Sequence, residues 1–118
     1  MTKAKVLIVD DDQDIVTMLQ DRLDAGGYKT LTAGDGQRGL ELIEQESPNL
    51  VLLDLYLPRL KGMDVLKRMA QNKQSEDIPV IVITAFGSIE SAVAAIRGGA
   101  AQSFVMDYHG KMILANNH

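Results

Sequence analysis

Polar side chains that could carry chemistry follow three apolar runs of this sequence, at the point where each run ends. Asp10 and Asp11 come directly after the first run. Asp54 follows the second run, and Thr84 follows the third. Since the carboxyl ends of parallel strands meet at one edge of a sheet, we expect these side chains to lie close together. The three apolar runs are Val6–Val9, Leu50–Leu53 and Pro79–Ile83.

Carboxylates brought together in this way repel one another, which raises one or more of their pKa values unless a cation neutralises the charge. Mg²⁺ suits such a site because it prefers hard oxygen ligands and takes one or two carboxylates together with phosphate oxygens. A carboxylate can also attack phosphorus and form an aspartyl phosphate. The residue types therefore predict phosphoryl transfer to Asp54 beside Mg²⁺, with the Thr84 hydroxyl able to hydrogen-bond a phosphoryl oxygen.

Each of these residues also has an ordinary structural explanation. A single Asp after a strand is usually a turn residue or the N-cap of the next helix, and Asp12 or Asp14 is a candidate for such a cap. Thr84 alone would be a neutral residue at a strand end. The functional interpretation is favoured because polar residues coincide at three strand ends of one predicted sheet.

The rest of the sequence alternates apolar runs with stretches of helical spacing, which predicts a doubly wound parallel sheet with helices on both faces. A weaker strand is predicted over Lys29–Ala33 and a last strand over Ser103–Met106. A short terminal helix is expected over His109–His118. The other helices are predicted at Asp14–Leu23, Gln37–Glu46, Met63–Ala70 and Ser88–Arg97.

Bulk composition limits the functions that need to be considered. The 118 residues are expected to form one domain, 1–118, since the sequence has no repeat or linker. A net charge of −4 argues against direct binding of nucleic acid, and the absence of cysteine excludes thiolate chemistry. No apolar run is long enough to span a membrane, and no signal peptide is recognisable, so the cytoplasm is the expected location.

The combined motifs resemble the receiver domains of bacterial two-component response regulators. The resemblance covers about Lys5–Ala100 and rests on the acidic residues after the first strand, on Leu52–Pro58 followed by Gly62, and on Val82–Ala85. It implies a flavodoxin-like fold with a five-stranded parallel sheet. The short tail of this sequence predicts that the last helix is short or irregular. Residues 87–100 look most similar to receivers of nitrogen-regulation-type transcriptional activators.

The resemblance also implies a role for individual residues. Asp54 would be the phosphoacceptor, and Asp10 and Asp11 would surround Mg²⁺, with Asp11 favoured as a direct ligand. The backbone carbonyl of Tyr56 would be a further ligand, and Thr84 would be the switch hydroxyl. A sensor histidine kinase would supply the phosphoryl group, as would small phosphorylated compounds, and the domain would catalyse only its own phosphorylation and dephosphorylation.

The sequence departs from that family in the segment 101–118, which is atypical. The family's lysine is absent, because Met106 stands at its expected position and Asp107 stands where a proline would follow. The aromatic switch position falls on Ser103 or Phe104, and the sequence does not decide between them. Without the lysine the phosphoryl group loses a charge-assisted contact of about 1.5–3 kcal/mol. Lys61 and Lys111 are the nearby cations, and both are expected to be solvated.

Three functions are therefore compared. The first is a phosphorylation-operated switch that changes partner binding. Its output domain would lie outside this chain and could bind DNA. The switch could also act through formation of a homodimer. The second is a pseudo-receiver that signals by constitutive protein contact, which Met106 and Asp107 favour. The third is an aspartate-nucleophile phosphatase, whose paired carboxylates would need Asp10 and Asp12, because Tyr56 occupies the second position after Asp54.

Overall fold

The structure is a computed structural model that describes residues 3–55, 57, 59–84, 102–107 and 112–117. Strands and helices alternate through the first seven elements of this part of the chain, and two strands follow. The elements are β1 (Lys5–Val9), α1 (Gln13–Ala25), β2 (Lys29–Ala33), α2 (Gly36–Glu46), β3 (Leu50–Asp54), α3 (Gly62–Gln71), β4 (Val80–Thr84), β5 (Gln102–Asp107) and β6 (Met112–Asn117).

All six strands belong to one sheet in the order β2-β1-β3-β4-β5-β6. The first five strands are parallel, as predicted, and β6 is antiparallel to β5. The chain passes from β1 outward to β2 and then returns to the other side of β1 to form β3, so its winding direction reverses between β1 and β3. In sheets of this kind ligands bind outside the carboxyl ends of the strands at such a reversal.

Two apolar layers cover the two faces of the sheet, because successive strand side chains point to opposite faces. Leu7 and Val9 of β1 pack with residues of α2 and α3, whereas Val6 and Ile8 pack with α1. All four side chains are 2% exposed or less. This burial on both faces explains why β1 is a continuous apolar run rather than an alternating one.

The helices α1 and α2 begin at aspartates whose carboxylates accept from free N–H groups of the first turn. Asp12 is the N-cap of α1, where its carboxylate accepts from the backbone N–H groups of Asp14 and Ile15 at 3.0 and 3.4 Å. The structure therefore assigns the cap to Asp12 rather than to Asp14. The predicted helices in the regions of α1, α2 and α3 are confirmed with longer ends, whereas the predicted helix over Ser88–Arg97 lies outside the described residues.

The predicted terminal helix over 109–118 is wrong for residues 112–117, which form the strand β6. A short helix there would carry the nucleation cost of an isolated turn and would include the poor helix formers Asn116 and Asn117. Pairing with β5 instead satisfies the backbone groups of a strand that would otherwise be an open edge. The sheet is consequently six-stranded and mixed, rather than five-stranded and wholly parallel.

Among the helices of the described ranges, none is long and apolar enough to cross a membrane.

The N-cap of α2 gives a test of this helix. Asp35 accepts a hydrogen bond from the backbone N–H of Arg38 at 2.8 Å. Asp35→Ala is expected to lower the free energy of unfolding by about 1 kcal/mol, because that N–H loses its partner. Asp35→Asn keeps an acceptor oxygen and should remain close to wild type. Urea denaturation of the three proteins measures the difference, and an equal loss in both variants would contradict a capping role.

Candidate phosphoacceptor and metal site

Two buried carboxylates lie side by side at the point where the winding reverses. Asp10 follows the last residue of β1, and Asp54 is the last residue of β3. The register pairs Val9 with Leu53, which places the two acidic residues next to each other at the same sheet edge. Asp10 is 3% exposed and Asp54 is 6% exposed. The adjacency predicted from the strand ends is therefore confirmed.

Asp11 completes this group from the solvent side. Its side chain is exposed, and one carboxylate oxygen each from Asp10, Asp11 and Asp54 lie within 4.8 Å of one another. Three like charges at this separation are unfavourable without a neutralising cation. The donor set consists of hard oxygen atoms with an open side, which fits a divalent cation such as Mg²⁺ that keeps some of its water.

The electrostatics of Asp10 agree with this description. Burial, opposed by a hydrogen bond from the backbone N–H of Asp12, raises the pKa of Asp10 from 3.8 to about 6. The nearby negative charges of Asp54, Asp11 and Asp12 contribute to this rise in the pKa. In the absence of a cation, Asp10 therefore keeps its proton to a higher pH than an ordinary aspartate does.

A short hydrogen bond fixes the orientation of Asp10. Its Oδ1 accepts from the backbone N–H of Asp12 at 2.9 Å, while the Asp12 side chain caps α1. Asp12 is thus a structural residue of the turn that links β1 to α1. The Asp10–Asp12 spacing required for a phosphatase is present, but the second carboxylate is engaged as a helix cap.

Thr84 lies at the same sheet edge, because it is the last residue of β4 and β4 is the neighbour of β3. The register aligns Asp54 with Ile83, so the backbone of Thr84 is one position further along its strand. On the other side, Thr84 is aligned with Asp107 of β5. The topology therefore brings the predicted phosphoacceptor and the predicted switch residue to adjacent strand ends.

The register of β5 also locates the atypical residues. Met106 is aligned with Ile83, one position before Thr84. Ser103 is aligned with Val80 and Phe104 with Ile81, which leaves the choice of aromatic switch position open. The predicted ligand Tyr56 and the cation Lys111 lie outside the described residues.

Lys61, the other predicted cation, is exposed and is the residue that precedes α3. Its side chain takes part in no ion pair among the residues that the structure describes. This agrees with the expectation that Lys61 is solvated.

A close backbone approach beside Asp54 was not predicted from the sequence. A Cβ atom on Gly62 would collide with the carbonyl oxygen of Asp54 and would lie 2.7 Å from the Cα of Leu55. The N–H of Gly62 donates to the carbonyl of Leu55 at 3.1 Å. A glycine is therefore required where α3 begins against the end of β3. In the sequence, Gly62 was marked by its position at the end of a loop and by its place in the family motif.

Comparison with known proteins identifies the family. The model of the response regulator receiver domain matches residues 6–113. The transcriptional regulator ycf27 of Guillardia theta is 37% identical over 97% of this chain and 44% of its own length. The alkaline phosphatase synthesis regulator PhoP of Bacillus subtilis is 43% identical over 69% of this chain and 33% of its own length.

Solved structures give the same result. A protein described as a response regulator of Chloroflexus aurantiacus superposes with a TM-score of 0.85 and 28% identity, over 93% of this chain and 88% of its own. The Mn²⁺-bound form of response regulator Rcp1 superposes with a TM-score of 0.74 and 27% identity, over 82% and 76% of the two chains.

The chain belongs to the response regulator receiver family, and its function is that of a receiver in two-component signal transduction. Members of this family are signalling proteins rather than classical enzymes. The chain spans less than half the length of these two curated relatives. The narrower similarity to nitrogen-regulation-type receivers is not supported, because the relatives are regulators of the ycf27 and PhoP kinds.

The raised pKa of Asp10 predicts a pH-dependent loss of stability in the absence of metal. Below pH 3.8 both folded and unfolded chains hold the proton, and between 3.8 and about 6 the unfolded chain ionises first. The folded state then binds more protons, so the free energy of unfolding falls as the pH rises through this window. Above about pH 6 the loss is complete.

Asp10→Asn removes this charge and keeps the oxygen that accepts from Asp12. At neutral pH without metal the variant is expected to exceed wild type in stability by on the order of 2–3 kcal/mol, and to match it below pH 4. Mg²⁺ should stabilise wild type more than the variant. Chemical denaturation across this pH range measures both effects, with Asp21→Asn on the exposed side of α1 as a control for charge. A difference in the free energy of unfolding that does not change with pH would contradict the raised pKa of Asp10.

Proposed function

We propose that Asp54 accepts a phosphoryl group from a phosphohistidine of a sensor histidine kinase, or from a small phosphorylated compound, in a reaction that requires Mg²⁺. The observation that carries this proposal is the convergence of Asp10, Asp11 and Asp54, whose carboxylate oxygens lie within 4.8 Å of one another at the winding reversal of a receiver fold.

In the proposed reaction, a carboxylate oxygen of Asp54 forms a bond to phosphorus while the P–N bond to the donor histidine breaks. The imidazole nitrogen keeps the bonding electron pair and takes up a proton. Asp10, oriented by the N–H of Asp12, and Asp11, on the solvent side, would hold the cation together with Asp54. When bound, the cation offsets the charge of the carboxylates and of the phosphoryl oxygens. Later attack by water at phosphorus releases phosphate and regenerates the carboxylate of Asp54.

Two further observations support Mg²⁺ at this site. Asp10 is buried and has a raised pKa, which shows that its negative charge is unfavourable in the folded protein. Binding of a cation would be favoured because it neutralises this charge. The similar protein Rcp1 has been solved in a form that binds Mn²⁺, another hard divalent cation. The backbone carbonyl of Tyr56 is proposed as a further ligand on the basis of the family resemblance.

The output of the domain is proposed to be a change of partner binding. Thr84, at the end of the strand next to Asp54, would hydrogen-bond the phosphoryl group through its hydroxyl. The relatives named above are transcriptional regulators more than twice as long as this chain, which supports a DNA-binding output domain in the whole protein. We place the whole of 1–118 in the receiver domain and expect it to act in the cytoplasm.

A homodimer is also part of this proposal. β6 is the outermost strand of the sheet, and its outer edge pairs with no other strand in the described ranges. An unpaired strand edge is a template for a second copy of the same strand, and an antiparallel pair would satisfy two-fold symmetry.

A pseudo-receiver is the second candidate, and the composition of β5 favours it. This strand contains Met106 and Asp107 where the family resemblance calls for lysine and proline, and residues 102–107 contain no cation. Asp107 is aligned with Thr84, so the strand adds a negative residue to an already acidic edge. Phosphorylation could then take place without efficient transmission to partners.

The proposed phosphorylation is tested with acetyl phosphate. Wild type is expected to gain the mass of one phosphoryl group in the presence of Mg²⁺ and none in the presence of a chelator. Asp54→Asn should gain none, because an amide oxygen is a poor nucleophile toward phosphorus. Intact-protein mass spectrometry gives the result. A folded wild-type protein that stays unmodified under these conditions would overturn the proposed function, and steady turnover of p-nitrophenyl phosphate would point to a phosphatase instead.

The missing lysine is tested by restoring it. Met106→Lys supplies a cation on β5 one position before the residue aligned with Thr84, and should enlarge the change of oligomeric state on adding beryllofluoride. Gln102→Lys, at the opposite end of β5, is the matched control and should behave as wild type. Size-exclusion chromatography with light scattering measures the change. No gain in Met106→Lys over the control would exclude the absent cation as the limit on transmission.

A further inference from the structure

The turn Gly34-Asp35-Gly36, which precedes α2, touches the loop that follows Asp54. A Cβ atom on Gly36 would collide with the backbone carbonyl oxygen of Leu60 and would lie 2.8 Å from its carbonyl carbon and 2.9 Å from its Cβ. The Leu60 atoms that such a Cβ would meet belong mainly to the backbone and not to the flexible end of the side chain. Gly36 is buried at the start of α2, and no side chain larger than hydrogen fits there without moving the loop.

The loop is held at two points between Asp54 and α3. Leu60, half-buried, packs against the core layer that α2 and α3 share. At the end of the loop, Gly62 lies against the backbone of Asp54, and its N–H donates to Leu55. Arg59, the residue before Leu60, has a φ of 65°, in the left-handed region that costs a non-glycine residue energy. A displacement of Leu60 would therefore pass through Lys61 to Gly62, which lies against the backbone of Asp54.

We infer that Gly36 is a positioning residue for the phosphoacceptor and metal site, which acts by docking the Leu60 backbone onto the start of α2. This inference rests on the proposed function, because the docked loop is taken to support the proposed phosphorylation and metal site. In this arrangement the start of α2 fixes the position of the loop, and the loop fixes the position of the backbone next to Asp54. Residues that support metal ligands in this indirect way typically change metal affinity by 10- to 100-fold when they are altered.

The same turn offers a matched control. Gly34 lies two residues before Gly36, and a Cβ atom on Gly34 would have no heavy atom within 4 Å. Gly34→Ala and Gly36→Ala therefore add the same methyl group to one turn, but only the second meets the loop. The atoms nearest to a Cβ on Gly36 belong to Leu60 and not to a carboxylate of the site.

The test compares these two variants with wild type by ¹H–¹⁵N NMR, first without metal and then during a Mg²⁺ titration. In Gly36→Ala the amide signals of Leu55 and Gly62 are expected to shift without metal. The Mg²⁺ affinity, read from the amides of Asp10 and Asp11, should fall roughly tenfold or more. Gly34→Ala should match wild type in both measurements. A folded Gly36→Ala protein with unchanged loop signals and unchanged Mg²⁺ affinity would overturn the inference.

A second variant keeps the test decisive if Gly36→Ala does not fold. Leu60→Ala leaves Gly36 intact and weakens the same docking from the side of the loop, so its loop signals and Mg²⁺ affinity should change in the same direction. Wild-type values for Leu60→Ala would overturn the inference.

Failure of the inference and failure of the proposed function give different results. Wild type that binds Mg²⁺ but is not phosphorylated by acetyl phosphate contradicts the proposed function, while the NMR comparison still tests the docking. If instead all variants bind Mg²⁺ and are phosphorylated as wild type is, the proposed function stands and the role of Gly36 is rejected.

Discussion

Repulsion between buried carboxylates is the constraint on which the rest of this structure depends. Asp10 and Asp54 are almost fully buried at adjacent strand ends, and Asp11 adds a third charge from solvent. Burial and these like charges raise the pKa of Asp10 to about 6, so the metal-free site is a source of instability. The apolar sheet beneath holds the carboxylates together despite their repulsion, and the same repulsion gives a divalent cation a favourable place to bind.

The turns around the sheet edge orient the Asp10 carboxylate and pack against the backbone of Asp54. Asp12 ties the orientation of Asp10 to the start of α1 by one hydrogen bond from its N–H. Gly62 allows α3 to begin directly against the backbone of Asp54, and Gly36 allows α2 to receive the loop between them. Three helices therefore contribute their first turns to the geometry of one site.

The sequence predicted the parts of the fold that depend on local pattern. The apolar runs located β1, β3 and β4, and the polar residues that end those runs located Asp10, Asp54 and Thr84. The strand β6 was not predicted, because its pairing with the neighbouring strand β5 overrides a weak helical pattern. The contact between Gly36 and Leu60 left no local signal either, since it joins two turns that are distant in the sequence and meet only in the folded chain.

We propose that Asp10, Asp11 and Asp54 form one cation site built around a phosphoacceptor. A crystal structure of the protein with Mg²⁺ and beryllofluoride would test this proposal. We expect a beryllofluoride group bonded to a carboxylate oxygen of Asp54, and a single Mg²⁺ that contacts this group and at least one oxygen from Asp10 or Asp11. A well-ordered site with Mg²⁺ bound elsewhere, or with an unmodified Asp54 at saturating beryllofluoride, would contradict it.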